Sequence, residues 1–199
     1  TSFSSAFFPK FGTFFRLVAA IATLLRYKDY LRNRNTTITG PLRLYERKEA
    51  EKEVFRLVQR ETFSEEIAAV EKRKPLAKTS SLRRLNPILV DDLLRVGGRL
   101  DRAKLPFDAR HPILLPPKSH VTHLLIADAH KNSLHGSARQ IVNDLRQHVW
   151  VPQLMKVVKS VIDKCLQCRR FNARSGQQIM SELPVSRVDT SAGNPFNVV

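Results

Sequence analysis

Apolar residues recur along this chain in three rhythms, and each predicts a different kind of element. The first is helical and lies near the N-terminus. "TFFRLVAAIATLLRYKDYL" carries apolar residues on most sides, so a helix here predicts a larger neighbour. "NRNTTITGP" interrupts it. "LRLYERKEAEKEVFRLVQRETF" then places Leu44, Ala50, Val54, Leu57 and Val58 near helical spacing. "SEEIAAVEKRK" follows, and Pro75 closes the run. The charges in between read as solvated helix faces.

The rhythm changes over residues 76–117. In "NPILVDDLLRVGGRL", Asp91-Asp92 and Gly97-Gly98 divide short apolar runs, the pattern of a small hairpin or two short strands. "HPILLPPKSH" is a further short apolar segment, stopped by Pro116-Pro117. From Ser119, a good N-cap, the helical period returns with Val121, Leu124 and Leu125. "SARQIVNDLRQHVW" predicts an amphipathic helix with Ala138, Ile141, Val142, Leu145 and Val149 on one face, ended by Pro152. "QLMKVVKSVIDKC" predicts a third, with Leu154, Val157, Val158, Val161 and Ile162 on a stripe that Cys165 continues. Beyond Cys168 the chain turns polar and reads as a linker. The expected fold is mainly α, with a short β hairpin segment between N-terminal helices and a three-helix bundle. The segments are 1–75, 76–117, 118–175 and 176–199.

Composition adds a constraint. Of 199 residues, 42% are hydrophobic, enough for a core in one ordinary domain or two small ones. The formal net charge is +16, which favours polyanions. Nucleic acid is the first partner to consider, through counterion release, and an anionic membrane face the second. A basic surface that only keeps the chain soluble is the plain alternative. "LVAAIATLL" falls short of the roughly 20 apolar residues of a membrane span. Ala20-Ile21-Ala22 mimics a signal-cleavage site, but the two cysteines form no secreted disulfide framework. The chain opens on Thr1 rather than Met and reads as a fragment or a processed product.

Three short helices bury little surface and need further support. Four residues can supply it. His130 and His135 form H-x4-H, and Cys165 and Cys168 form C-x2-C after a gap that holds two amphipathic helices. A continuous helix would splay two histidines five apart. "KNSLHG" can break it, with Asn132, Ser133 and Gly136 turn-prone, leaving His130 on the last turn and His135 in the loop. Gly136-Ser137 would launch the next helix. Two imidazoles and two thiolates suit one tetrahedral Zn²⁺ with no open position, hence a structural ion. Such sites contribute on the order of 10–16 kcal/mol in small peptides. A redox C-x-x-C would want a βαβ setting. His123 is the nearest rival ligand; His111, His120 and His148 receive no role.

The order His-His then Cys-Cys, together with "LLRVGGRL", "HPILLPPKSHVTHLLI", "AHKNSLHGSARQIVNDLRQHVWVP" and "VIDKCLQCRR", resembles the zinc-binding domain of retroviral and retrotransposon integrases. The nearest likeness is to BEL/Pao-class LTR retrotransposons, with "RVGGRL" before the zinc domain and "LP..R" and "PF" after it. "FSS" and "LVAAIATLLRY" are similar to the connector upstream of integrase in those polyproteins. The resemblance implies a helix-turn-helix-like bundle around Zn²⁺, with ligands His130, His135, Cys165 and Cys168. It gives Trp150 a packing role before the third helix. It makes 1–75 a helical connector, 76–117 a small β-containing extension, 118–175 the zinc domain and 176–199 a linker toward a catalytic core.

That core would carry the Asp, Asp and Glu that hold two metal ions. The match to its place would begin after "PF", near the last residue, Val199, so no catalysis is expected of this chain. Asp128 and Asp163 have a suggestive separation but fall inside the zinc bundle. "VDTS" lacks the glycine of an aspartic-protease motif, and "VDD" lacks a polymerase context.

The leading expectation is a nucleic-acid-binding and assembly module that supports DNA integration. Phosphate contacts are expected from Arg139, Arg146, Lys156, Lys159, Arg169, Arg170 and Arg174. DNA, meaning the element's ends, and further copies of the chain are the expected partners; a membrane or small-molecule substrate is not. The setting would be intracellular, in the nucleus or a cytoplasmic virus-like particle. The alternative is a zinc-stabilised interaction module in a host protein derived from such an element.

Overall fold

The computed structural model describes residues 6–33, 39–98, 100–177 and 179–188. "FSS", the second arginine of "RVGGRL", most of "VDTS" and the "PF" segment lie outside the described residues.

The chain is mainly helical around a small sheet. A 3₁₀ turn, Phe8–Lys10, leads into α1 (Phe14–Asn33), α2 (Leu44–Thr62) and α3 (Ser64–Glu71). The hairpin β1 (Ile88–Val90) and β2 (Leu93–Arg95) follows, then α4 (Phe107–Arg110) and β3 (Ile113–Leu114). The last part holds α5 (His120–Asn132), α6 (Ala138–Arg146), β4 (Val149–Trp150), α7 (Leu154–Asp163), α8 (Leu166–Phe171) and α9 (Val185–Val188). None of the described helices is long and apolar enough to cross a membrane.

The hairpin forms where the apolar runs divide. Val90 pairs with Leu93 across a two-residue turn, and Asp91 and Asp92 both take positive φ, 53° and 57°. That twist suits tight hairpin strands, and aspartate tolerates it better than most residues. The glycines just after β2 have separate reasons. A Cβ on Gly97 would sit 2.4 Å from the Asn86 carbonyl oxygen, and Gly98 has φ 91°.

One expectation fails at the C-terminal side of the hairpin. Val149 is not on a helix. α6 stops at Arg146, with Gln147 as C-cap, and Val149-Trp150 forms a strand parallel to Ile113-Leu114. The Ile113 amide donates to His148 O at 3.0 Å and the Leu115 amide to Trp150 O at 2.9 Å. The strand order is β1-β2-β3-β4, antiparallel up to β3. Pro152 thus follows a strand rather than ending a helix.

The central strands β2 and β3 are buried on both faces, which explains their continuous apolar runs. Leu93, Ile113, Leu115 and Val149 point to the main core, shared with α1, α2, α5, α6 and α7. Leu94 and Leu114 point the other way, to a smaller core with Phe63 and Leu82, against which Trp150 packs. The larger neighbour demanded by α1 is this shared core. Leu17, Ile21 and Ala22 of α1 join Val54, Phe55 and Val58 of α2 and Val121 and Ile126 of α5. The Asp128 carboxylate on α5 accepts the Phe15 amide of α1 at 3.1 Å, satisfying an N-terminal donor of that helix. Arg26 closes the α1–α2 connection with a two-pronged bond to Glu46, 2.7 and 2.6 Å, and holds that carboxyl down to about 2.

Gln59 joins α2 to the sheet. It is fully buried, and its side-chain amide donates to Leu94 O (2.9 Å) and Leu114 O (2.7 Å) while its oxygen accepts the Leu94 amide (2.8 Å). β2 and β3 share one registered pair, Arg95 and Ile113, with the Val96 amide donating to Pro112 O at 3.0 Å; the Gln59 side chain adds a bridge between Leu94 and Leu114. Gln59→Leu keeps the volume roughly but strands these backbone groups. We predict a loss of about 2–5 kcal/mol in urea unfolding, from about 1–3 kcal/mol per buried unpaired group. A loss below about 0.5 kcal/mol, within ordinary surface-mutation noise, would show that the bridge is dispensable.

Candidate metal centre

The ends of helices set the two ligand pairs. α5 ends at Asn132, with Ser133 as C-cap. The His135 amide donates to His130 O at 2.9 Å and the Leu134 amide to Lys131 O at 3.0 Å. These are the two hydrogen bonds of a Schellman motif, in which the chain turns left-handed just past the helix. Leu134 and His135 have φ 52° and 62°. The H-x4-H spacing is therefore the spacing of a capped helix end. His130 is three residues inside the cap and His135 two beyond it. Ser133 supports the turn, its hydroxyl donating to His130 O at 3.0 Å. Ser137 then caps α6 by accepting the Gln140 amide, as expected of the Gly136-Ser137 turn.

The cysteines also lie at a helix boundary, though not the expected one. Cys165 does not continue the α7 stripe. α7 ends at Asp163 and Cys165 is the N-cap of a further helix, α8, which carries Cys168 in its first turn and runs to Phe171. The polar tail begins after that helix, not at Cys168. The two cysteines occupy the N-cap and third helical positions, so their side chains share one side of the turn.

These ends converge. His130 Nε2 lies 3.0 Å from His135 Nδ1 and 3.2 Å from Cys168 Sγ. His135 Nδ1 lies 3.3 Å from Cys165 Sγ and 3.6 Å from Cys168 Sγ. All four ligand atoms fall within 4.8 Å of one another. A tetrahedron with ordinary Zn–N and Zn–S bonds has edges of roughly 3.3–3.8 Å, close to the observed separations. The rings stand edge to face, centroids 4.6 Å apart. His130 is buried and the other three are partly buried.

The electrostatics fit the ligand forms. Burial, then His135, lowers the His130 pKa and favours its neutral ring. Cys165 is lowered, first by the Cys168 amide at the start of α8 and further by the Cys168 side chain, the Gln167 amide and Lys131, against the opposing effect of burial. Burial, then Cys165, raises Cys168. The first thiolate of the pair is thus Cys165, and a dication removes the cost of forming the second. His130, His135, Cys165 and Cys168 are positioned to bind one zinc ion.

The comparisons agree with the donor set. Residues 117–174 match the family model for the integrase zinc binding domain. No curated protein and no solved structure matched the chain. The integrase-type match covers the zinc domain, the part of the chain from Pro117 through α8. His123, the rival ligand, stands outside the tetrad on α5, its pKa lowered first by burial.

The remaining residues singled out in the sequence are dispersed. Arg146, Lys156 and Lys159 line one groove with Trp150. Arg139 is exposed at the start of α6, Arg169 and Arg170 on α8, and Arg174 beyond it. Asp128 caps α1. Two histidines given no role make tertiary bonds. His111 Nδ1 lies 3.0 Å from Val96 O, and His120 Nε2 lies 3.1 Å from Phe11 O. Arg95 was not singled out; it is buried, bonded to Asp108 and His111 O at 2.8 Å each. Its only sequence signal was a charge inside an apolar run.

Two outcomes test the centre. Purified protein should hold about one Zn per chain, and Cys165→Ser should lose it and unfold the α5–α8 region by circular dichroism. Full metal content in that variant would remove Cys165 from the ligand set. Leu134 is exposed and pays for its left-handed backbone with no compensating packing. Leu134→Gly should therefore stabilise the zinc-loaded protein by about 0.5–1 kcal/mol in thermal melts. A destabilised variant would place an unrecognised packing role on Leu134.

Proposed function

We propose that the chain is the zinc-binding module of a retroelement integrase, of the BEL/Pao class, and that it binds the element's DNA and assists assembly of copies of itself. The observation that carries this reading is the four-ligand cluster inside the region matching the integrase zinc binding domain. The +16 charge supports a polyanionic partner. Arg139, Arg146, Lys156, Lys159, Arg169, Arg170 and Arg174 are the proposed phosphate contacts, all exposed on the zinc-bearing part of the chain. The zinc ion would lock the end of α5 and the start of α8 together. The protein's own part is then to present these cations on a rigid bundle.

The reading places strand-transfer chemistry on a separate acidic core and gives this chain no catalytic group. The working place is inside the cell, in the nucleus or a virus-like particle. Self-assembly has its own support. Leu134 and Leu166 are exposed apolar residues, each adjacent in sequence to a ligand, so the zinc turn presents apolar surface for a contact between copies. The same surface would serve the second reading, an interaction module in a host protein derived from an element.

Duplex DNA affinity, measured by anisotropy over a salt series, should fall steeply. Neutralising six or more phosphates costs about 10³-fold or more between roughly 50 and 200 mM salt. Chelator should abolish both this binding and any multimer seen in sedimentation. Zinc-dependent multimers without DNA binding would favour the second reading, and salt-independent affinity would overturn the electrostatic one.

A further inference from the structure

The groove beside Trp150 is formed by the end of α6, β4 and the start of α7. Its volume is about 610 Å³, within the roughly 300–1,000 Å³ range of small-ligand clefts. Val151, Leu154, Met155 and the Trp150 ring give it an apolar floor, and Arg146, Lys156 and Lys159 give it three cations. Among the described residues no carboxylate lines it. The clefts around Arg26, around Glu51, beside Pro9 and beside Leu76 each contain at least one. The Arg146 guanidinium already lies over the Trp150 ring, 5.6 Å from its centroid. Trp150 is only half-buried, although its other contacts are with the smaller core.

An apolar floor with an aromatic ring and an all-cationic rim has two complementary requirements of its occupant. It must offer a flat apolar face and carry negative charge within a few ångströms of it. A duplex presents its phosphates but hides its base faces. An acidic peptide brings charge without planar faces. An unpaired nucleotide brings both, because its base can stack on a ring or a guanidinium while its phosphate meets lysine.

We propose that this groove binds unpaired nucleotides, with the base stacked against Trp150 and Arg146 and the phosphates held by Lys156 and Lys159. This rests on the nucleic-acid reading above and sharpens it from charge alone to single-stranded or frayed ends. The assignment also gives Trp150 a use beyond packing.

The test uses the full zinc-loaded chain and its only tryptophan as reporter. A short single-stranded oligonucleotide should quench Trp150 emission more strongly, and at lower concentration, than a blunt duplex of equal length. Lys156 and Lys159 are exposed, so Lys156→Gln/Lys159→Gln should keep the fold and raise the single-strand Kd at least tenfold. Lys72→Gln, at an exposed lysine outside both the groove and the proposed phosphate contacts, should change it far less. Trp150→Leu should weaken single-strand binding by about five- to hundred-fold, the range of one base stack. Because Trp150 also packs, Trp150→Phe serves as the milder variant and should retain part of the affinity.

Equal or stronger quenching by the blunt duplex would overturn the proposal. So would quenching by a glutamate-rich peptide but not by the single strand, or a double-lysine variant that binds normally. Duplex binding by anisotropy with an unresponsive tryptophan would remove this groove and leave the broader reading standing. Absence of any nucleic-acid binding by anisotropy would remove both.

Discussion

Four ligand atoms must meet within 4.8 Å, and they come from two helix boundaries, the end of α5 and the start of α8. Most of the C-terminal architecture serves that requirement. α5 must stop just after His130, α6 must leave in a new direction from Ser137, and α7 must end before Cys165. Each stop uses a device of backbone hydrogen bonding rather than side-chain bulk. The left-handed turn at Leu134-His135 reverses the chain so that the second imidazole faces the first. The extended Cys165 restarts a helix so that both sulfurs share one side. Burial favours a neutral His130 ring and the start of α8 lowers the Cys165 thiol, while burial raises Cys168.

The rest of the molecule holds those helix ends at fixed distances. α5 is gripped on its outer side by α1, through apolar contact and through the Asp128 cap. α6 and α7 are joined by a strand that is itself pinned to β3. Gln59 carries the constraint onward to α2. The zinc turn and the N-terminal helices therefore belong to one packed body among the described residues, although only part of it matches the integrase zinc binding domain.

The sequence made some of this visible. Ligand identities showed because zinc demands few residue types in a tight spacing. The hairpin showed because Asp91-Asp92 punctuates two apolar runs. β4 was hidden because Val149 falls on the helical period of α6 by coincidence, and a two-residue strand is too short to show alternation. α8 was hidden because its six residues are too few to show a helical period, and it starts at the second ligand pair. Gln59 and Arg95 were hidden for a different reason. Their bonds join segments 35 or more and 13 residues apart, and local pattern carries no record of such partners.

The parallel pairing of β3 with β4 has a consequence for how this unit could be cut or shuffled. β4 lies inside the matched region, and its hydrogen-bonding partner, Ile113-Leu114, lies just upstream of it. A piece trimmed to the match would expose a bare strand edge beside Val149 and Trp150. Exposed edges of that kind invite pairing with other chains. A transplanted copy that keeps β4 paired carries β3 along, and through the Gln59 bridge it carries α2 as well.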